Sequence, residues 1–492
     1  MEYTNTENLP TDDGAGAECI TNEVQWRASR PTEVSVTGVR ADTFNPISSI
    51  VNSKVFQFDI TCSLNEVLDP KTAKLFFTYK IVDENGDDIP LLNPAVGAAA
   101  ATKNQTSFVL PVNGMSYALF KSCEIKLNGH TIAGGDMLYA HKGNIQKRIS
   151  VVEPVRKELG TLEGWDQEPV AWDELTDQDR DKIWDFDAMP TQGSADRIRF
   201  GSFVRRYLDT RGSNQKQLIS NICADIFTQN EFLPPNTRLT VVLTRQDNDN
   251  FCLISKNNHN YRIVIVNAYI ECQVKCLDVE FIQSEILKMQ RGEKYRSVFK
   301  NIEMSEYFFP QGLSDLSKPV LFNLNSVSPE RFFAVLVRQS AMNGSYKRDP
   351  FNYTDFNMSH FAHIRNDGRT RHRRVFLRRW GRAQRNNDAD VAEVVFNLYK
   401  ALNLSCHGDD VLGINIYNIL KRNFIMGFNL QKNDGAISGE IYDLPDNAKN
   451  GIEIKLREGL SEPVVMLIYA EYNREILIDS NGNVTVKDNA LA

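Results

Sequence analysis

Asn343-Gly344-Ser345-Tyr346-Lys347-Arg348-Asp349-Pro350-Phe351-Asn352-Tyr353 follows a short apolar run, Phe332 to Val337, and precedes another periodic stretch. Asn-Gly supplies the positive φ angles of a tight turn and Pro350 stiffens the exit, so these residues read as a loop between two strands. Working outward, alternation with period two dominates the chain. Phe56, Phe58, Ile60 and Cys62 alternate with Gln57, Asp59 and Thr61; Leu75, Phe77, Tyr79 and Ile81 do the same and stop at Asn85-Gly86. Cys123, Ile125 and Leu127 lead into Asn128-Gly129, Leu239, Val241 and Leu243 fall at every second position in a run that also holds the threonines Thr240 and Thr244, and Ile452, Ile454 and Leu456 precede the longer run Val464 to Tyr472. Six Asn-Gly and three Asp-Gly dipeptides punctuate these runs, a strong local signal for hairpins. The pattern predicts an all-β protein of two-sheet packing.

One clean helical stripe interrupts it. Val279, Ile282, Ile286 and Met289 recur at helical spacing, with Asp278 placed as N-cap and Gly292 after the end. Strand-rich sequence of similar length lies on both sides. The economical architecture is two jelly-roll (β-sandwich) domains in tandem, over 31–277 and 294–487, joined by a linker helix at 278–293. Residues 1–30 and 488–492 read as tails, the first disordered or ordered only on assembly. An immunoglobulin tandem would need only about 100 residues per half, and no short repeat period points to a propeller or solenoid.

Bulk properties exclude several classes. The 492 residues exceed one ordinary core, and a net charge of -7 argues against wholesale coating of nucleic acid. Eight scattered cysteines, with Cys272 and Cys276 on one face of an alternating run, read as reduced core thiols. The polar, acidic Met1 to Ala17 is unlike a secretory signal, and no apolar run approaches the ~18 residues of a spanning helix. A chain made and kept in the cytosol or nucleus is expected.

The search for chemistry predicts no enzyme, no cofactor and no metal. There is no P-loop, and Gly114-Met115-Ser116-Tyr117-Ala118 lacks the last glycine of a nucleophile elbow. His360 and His363, three apart in a strand setting, point to opposite faces. Asp185-Phe186-Asp187, Asp388-Ala389-Asp390 and the turn Asp479-Ser480-Asn481-Gly482-Asn483 lack the partners of a divalent-ion loop.

Two insertions stand out. The first, 161–190, contains ten acidic residues between Glu163 and Asp187 and three of the five tryptophans, Trp165, Trp172 and Trp184, with a short helix expected over Thr176 to Phe186. The second, 365–422, opens with nine arginines, Arg365, Arg369, Arg371, Arg373, Arg374, Arg378, Arg379, Arg382 and Arg385, followed by an amphipathic helix from Ala389 to Leu402. Arginine is used where planar, bidentate pairing to carboxylate or phosphate matters. The run therefore suits a contact between domains or subunits, with the acidic, Trp-rich insertion as its partner, or a sequence-independent grip on nucleic acid. A merely solvated loop is the third reading.

The Asn343–Tyr353 stretch, through Asn343, Gly344, Tyr346, Pro350, Phe351 and Asn352, resembles a signature in the second half of the double jelly-roll major capsid proteins of Polinton/Maverick elements and adintovirus-like viruses. Pro463 to Asp479 looks like that family's closing strand pair. The hairpin Cys123 to Gly135 and Asp209 to Arg245 fit in order, whereas the arginine run and the acidic insertion match nothing in the family. The resemblance implies a structural virion protein whose homotrimers form pseudo-hexagonal capsomers of an icosahedral capsid. Neighbouring capsomers, penton-type minor capsid proteins and cement-type proteins are the implied partners. Assembly in the host nucleus or cytoplasm is implied with them. The alternatives are a carbohydrate- or receptor-binding jelly-roll module and a domesticated cellular descendant of a capsid gene. A cupin-type enzyme would need a cluster of histidines that is not there.

Overall fold

Phe56, Phe58 and Ile60 in one strand, and Leu75, Phe77, Tyr79 and Ile81 in another, are all buried, as their alternation requires. They belong to facing sheets: the Phe77 and Phe120 rings meet edge-on at 6.0 Å across the sandwich. The computed structural model describes residues 36–50, 53–90, 108–135, 137–184, 195–256, 259–317, 329–365, 375–376, 391–404, 412–420, 422–430 and 450–488.

Eight strands build the first sandwich: Val36–Phe44, Val55–Thr61, Glu66–Asp83, Phe120–Leu127, His130–Ala133, Lys216–Asn221, Arg238–Arg245 and Tyr261–Leu277. Counted in that order they lie 1-8-3-6 in one sheet and 2-7-4-5 in the other. Two nested Greek keys of this kind make a jelly roll. A short pair, Val109–Pro111 with Leu253–Ser255, stands beside them.

The second half repeats the order. Tyr295–Phe309, Val464–Ile478, Arg331–Arg338 and Met426–Asn429 form one sheet, again first, eighth, third and sixth; Val484–Asp488 adds to Val464–Ile478. Val375–Phe376, Met358–Arg365 and Asn450–Leu456 form the other, and Asp315 bridges to Lys455 where the second strand belongs. The chain is therefore a double jelly roll, and the helix Val279–Gln290 runs between the halves with the Asp278 side chain capping the Glu280 amide.

The run Phe332 to Val337 is buried at every position, which one-sided packing would not allow. Its sheet is covered twice. Phe332 and Phe428 stack and meet His363 and Phe361 of the opposing sheet. On the other face the helix Ala392–Ala401 lies so close that a Cβ on Gly427 would stand 2.9 Å from the Ala401 Cβ. Gly427→Val should lift this helix and lower stability by about 1–3 kcal/mol, read from urea unfolding; an unchanged midpoint would mean that the helix does not need this approach.

Helices are more numerous than the sequence pattern suggested. Between the fifth and sixth strands of the first roll come Tyr139–Ser150, Glu153–Leu159, Asp177–Trp184 and Ala195–Thr210. The acidic insertion is thus one part of a larger helical one, and Ala392–Ala401 occupies the same position in the second roll. Among the described residues no helix is long and apolar enough to cross a membrane.

Candidate functional site

The signature loop differs from a hairpin turn. The one-turn helix Gln339–Met342 precedes it, and Asn343 sits at the helix C-cap with φ -75°. Gly344 follows with φ +85°, so this Asn-Gly pair ends a helix. A Cβ at Gly344 would come within 2.9 Å of the Phe251 amide nitrogen, so the loop is pressed against the first roll.

From there it forms a buried seam with the helical insertion of the first roll. Trp172, which is fully enclosed, donates from Nε1 to the Tyr346 carbonyl at 3.1 Å. The Tyr346 carbonyl also accepts from the Ser255 amide at 3.0 Å, and the Tyr346 hydroxyl accepts from the Tyr261 amide at 3.0 Å. Asp173 accepts from the Asp349 amide at 2.7 Å and from Arg338 at 3.1 Å. Phe351 packs edge-on against Phe251 and His141, while Asn352 and Pro350 are buried with it.

At the centre are three arginines and two carboxylates. Arg422 spans Glu168 and Asp349, and Arg206 holds the other oxygen of Glu168 while donating to the Pro111 carbonyl at 2.7 Å. Arg148 donates to the carbonyls of Arg422 and, at 2.9 Å, Phe351, and lies 4.8 Å over the Tyr353 ring. Arg422 adopts φ +68°, a left-handed backbone that a non-glycine residue keeps only where its surroundings hold it there. Burial, then the neighbouring Asp173 carboxylate, pushes the Asp349 carboxyl up to about 6, against the pull of Arg148 and Arg206. His141 is enclosed beside Arg148, and burial lowers its pKa to about 3; its Nδ1 lies 3.3 Å from the Tyr353 hydroxyl.

The acidic insertion also makes ion pairs within the chain. Among the described residues, Glu163 pairs with Lys147, Asp166 with Arg205, Glu168 with Arg206 and Arg422, Asp173 with Arg338, Asp177 with Arg180, Asp179 with Arg199 and Asp181 with Lys256. Trp172 is a core residue with no surface to offer a partner, and the half-buried Trp165 lies under Arg156 at 5.2 Å. Trp184 ends a helix, and its side chain lies outside the described residues. So do Arg369, Arg371, Arg373, Arg374, Arg378, Arg379, Arg382 and Arg385, the tail 1–30, and both Asp-x-Asp pairs. Sequence reasoning missed Arg148, Arg206, Asp349 and Arg422 because isolated charges in polar-looking stretches carry no period. The seam holds no nucleophile–base pair, and among the described residues no cluster of three His, Cys, Asp or Glu is placed to bind a metal. Its arrangement locks two rolls together.

No protein-family model matches the chain. An uncharacterized protein of Caenorhabditis elegans, F54H12.2, is 21% identical over 331 residues, which span 64% of this chain and 66% of that protein. Among solved structures, a chain of the Sputnik virophage seen by cryo-EM covers 99% of this chain and 95% of its own length, with a TM-score of 0.60 and 13% identity. A chain of the PBCV-1 virus capsid covers 95% of this chain and 99% of its own length at TM-score 0.54 and 7% identity. The mavirus major capsid protein covers 99% and 98% at TM-score 0.51 and 10% identity. The chain shares their double jelly-roll fold from end to end.

Proposed function

We propose that the chain is a major capsid protein, a structural rather than catalytic component of a virion, whose homotrimers form pseudo-hexagonal capsomers of an icosahedral shell. The observation that carries this reading is the repeated 1-8-3-6 strand order in one chain, in a fold shared end to end with viral capsid structures. Two like but non-identical sandwiches give a trimer six similar lobes, which closed cyclic symmetry can place around one axis. The seam suits the role, because lobes that tile a shell must keep a fixed relative orientation. Neighbouring capsomers, penton-type minor proteins and cement-type proteins would be its partners, with assembly in the host nucleus or cytoplasm. Since most of the described carboxylates of the acidic insertion are paired within the chain, the arginines between Arg369 and Arg382 are better suited to the phosphates of packaged DNA. Arg373→Ala with Arg374→Ala should then assemble normally and retain less nucleic acid; weakened trimers with normal packaging would point to a subunit contact instead.

Light scattering of the purified protein should show a species of three times the chain's 55.9 kDa, and negative-stain images should show trimers or shells. A species of one chain across salt and pH would count against the proposal. A cellular descendant of a capsid gene is the second reading, favoured by the likeness to a nematode protein. That reading predicts trimers that do not close into shells.

A further inference from the structure

The linker helix Val279–Gln290 buries Ile282 alone. Val279, Phe281, Ile286 and Leu287 are between 38% and 51% exposed, an unusual load of apolar surface for one short helix. Beside it runs a groove of about 390 Å³ whose walls include Val67, Phe232, Leu277, Phe281, Ile286 and Met289. One wall also marks where the N-terminal segment meets the fold. Val36 is the register partner of Leu277, and the Thr37 hydroxyl donates to the Cys276 carbonyl at 3.2 Å. Val36, the first described residue, therefore stands at the edge of this groove. Within residues 1–35 the apolar residues gather at Ile20, Val24 and Trp26, in an otherwise polar stretch. Nine residues, 27–35, separate Trp26 from Val36, a reach of about 30 Å when extended.

We propose that Ile20, Val24 and Trp26 of the same chain fill the groove and cover the linker helix. The segment is tethered at the groove wall, so its effective concentration there exceeds that of any free competitor. The contact would lay N-terminal residues across the junction of the two rolls. It does not rest on the capsid reading, because both measurements below report on the chain whether or not it assembles.

The test is a full-length chain with Trp26→p-benzoylphenylalanine, irradiated in a subunit-exchanged mixture of light and ¹⁵N-labelled copies. The expected adduct joins position 26 to the peptide carrying Phe281 to Met289, within one isotope class. Mixed-isotope adducts would place a second copy in the groove and overturn the proposal, as would adducts elsewhere. Independently, Trp26→Ala should speed amide exchange across 279–290 by about tenfold while leaving 464–478 unchanged. Unchanged exchange in the helix would also overturn it.

Discussion

Arg422→Met is expected to destabilise the protein by about 3–5 kcal/mol, because it leaves buried carboxylates without their cation. Methionine keeps much of the volume, so lost packing contributes little. Asp349 would keep the Phe351 amide at 2.9 Å but lose the guanidinium on its other oxygen. Glu168 would retain Arg206 on one oxygen only. Urea unfolding measures the loss, and the double variant Arg422→Met with Asp349→Asn should recover part of it, since fewer charges are then stranded. Because the arginine sits between the rolls, the single variant should also unfold in two separated steps. A change below about 1 kcal/mol with one sharp transition would show that the seam adds little beyond its apolar contacts.

His141 should make the fold acid-sensitive. Its imidazole is held neutral, with a pKa of about 3 against about 6.5 in the unfolded chain. Folding then favours the deprotonated base. The associated stability is complete above about pH 6.5 and is lost as the pH falls toward about 3, by at most about 1.4 kcal/mol per pH unit. Between pH 7 and pH 5 this group alone removes about 2 kcal/mol. His141→Phe keeps an aromatic ring against Phe251 and Phe351 and cannot titrate. Its unfolding free energy should fall by about 2 kcal/mol less than the wild type's over the same interval. Parallel pH profiles would mean that His141 gains its proton without unfolding.

The fold was legible where one face of a strand meets the core. Phe56, Phe58 and Ile60 announce their sheet by alternation, and Asn128-Gly129, with φ of 50° and 86°, closes the hairpin that its dipeptide predicts. Asn-Gly was a poorer guide elsewhere: Gly114 caps a short helix, Gly344 ends one, and Asn450-Gly451 opens a strand. Helix Tyr139–Ser150 escaped notice because its buried residues include His141, Lys142, Asn144, Lys147 and Arg148, which no hydrophobic stripe marks. A helix wrapped on all sides by protein loses the amphipathic period on which such readings depend. The seam was illegible for the same reason. Its signature loop was visible as a family resemblance, but its charge partners lie far away along the chain.

That distance has a consequence during synthesis. Arg148 donates to the carbonyl of Arg422, 274 positions later, and Arg156 to that of Leu412, 256 positions later. At about 5–20 residues per second, the helical insertion of the first roll waits on the order of tens of seconds on the ribosome for those acceptors. Until residue 423 emerges, its arginines lack the full set of their acceptors from the second roll. A truncated or stalled product thus carries a cationic, unfinished face, a ready mark for chaperones and proteases, and only a completed polypeptide can present two finished lobes.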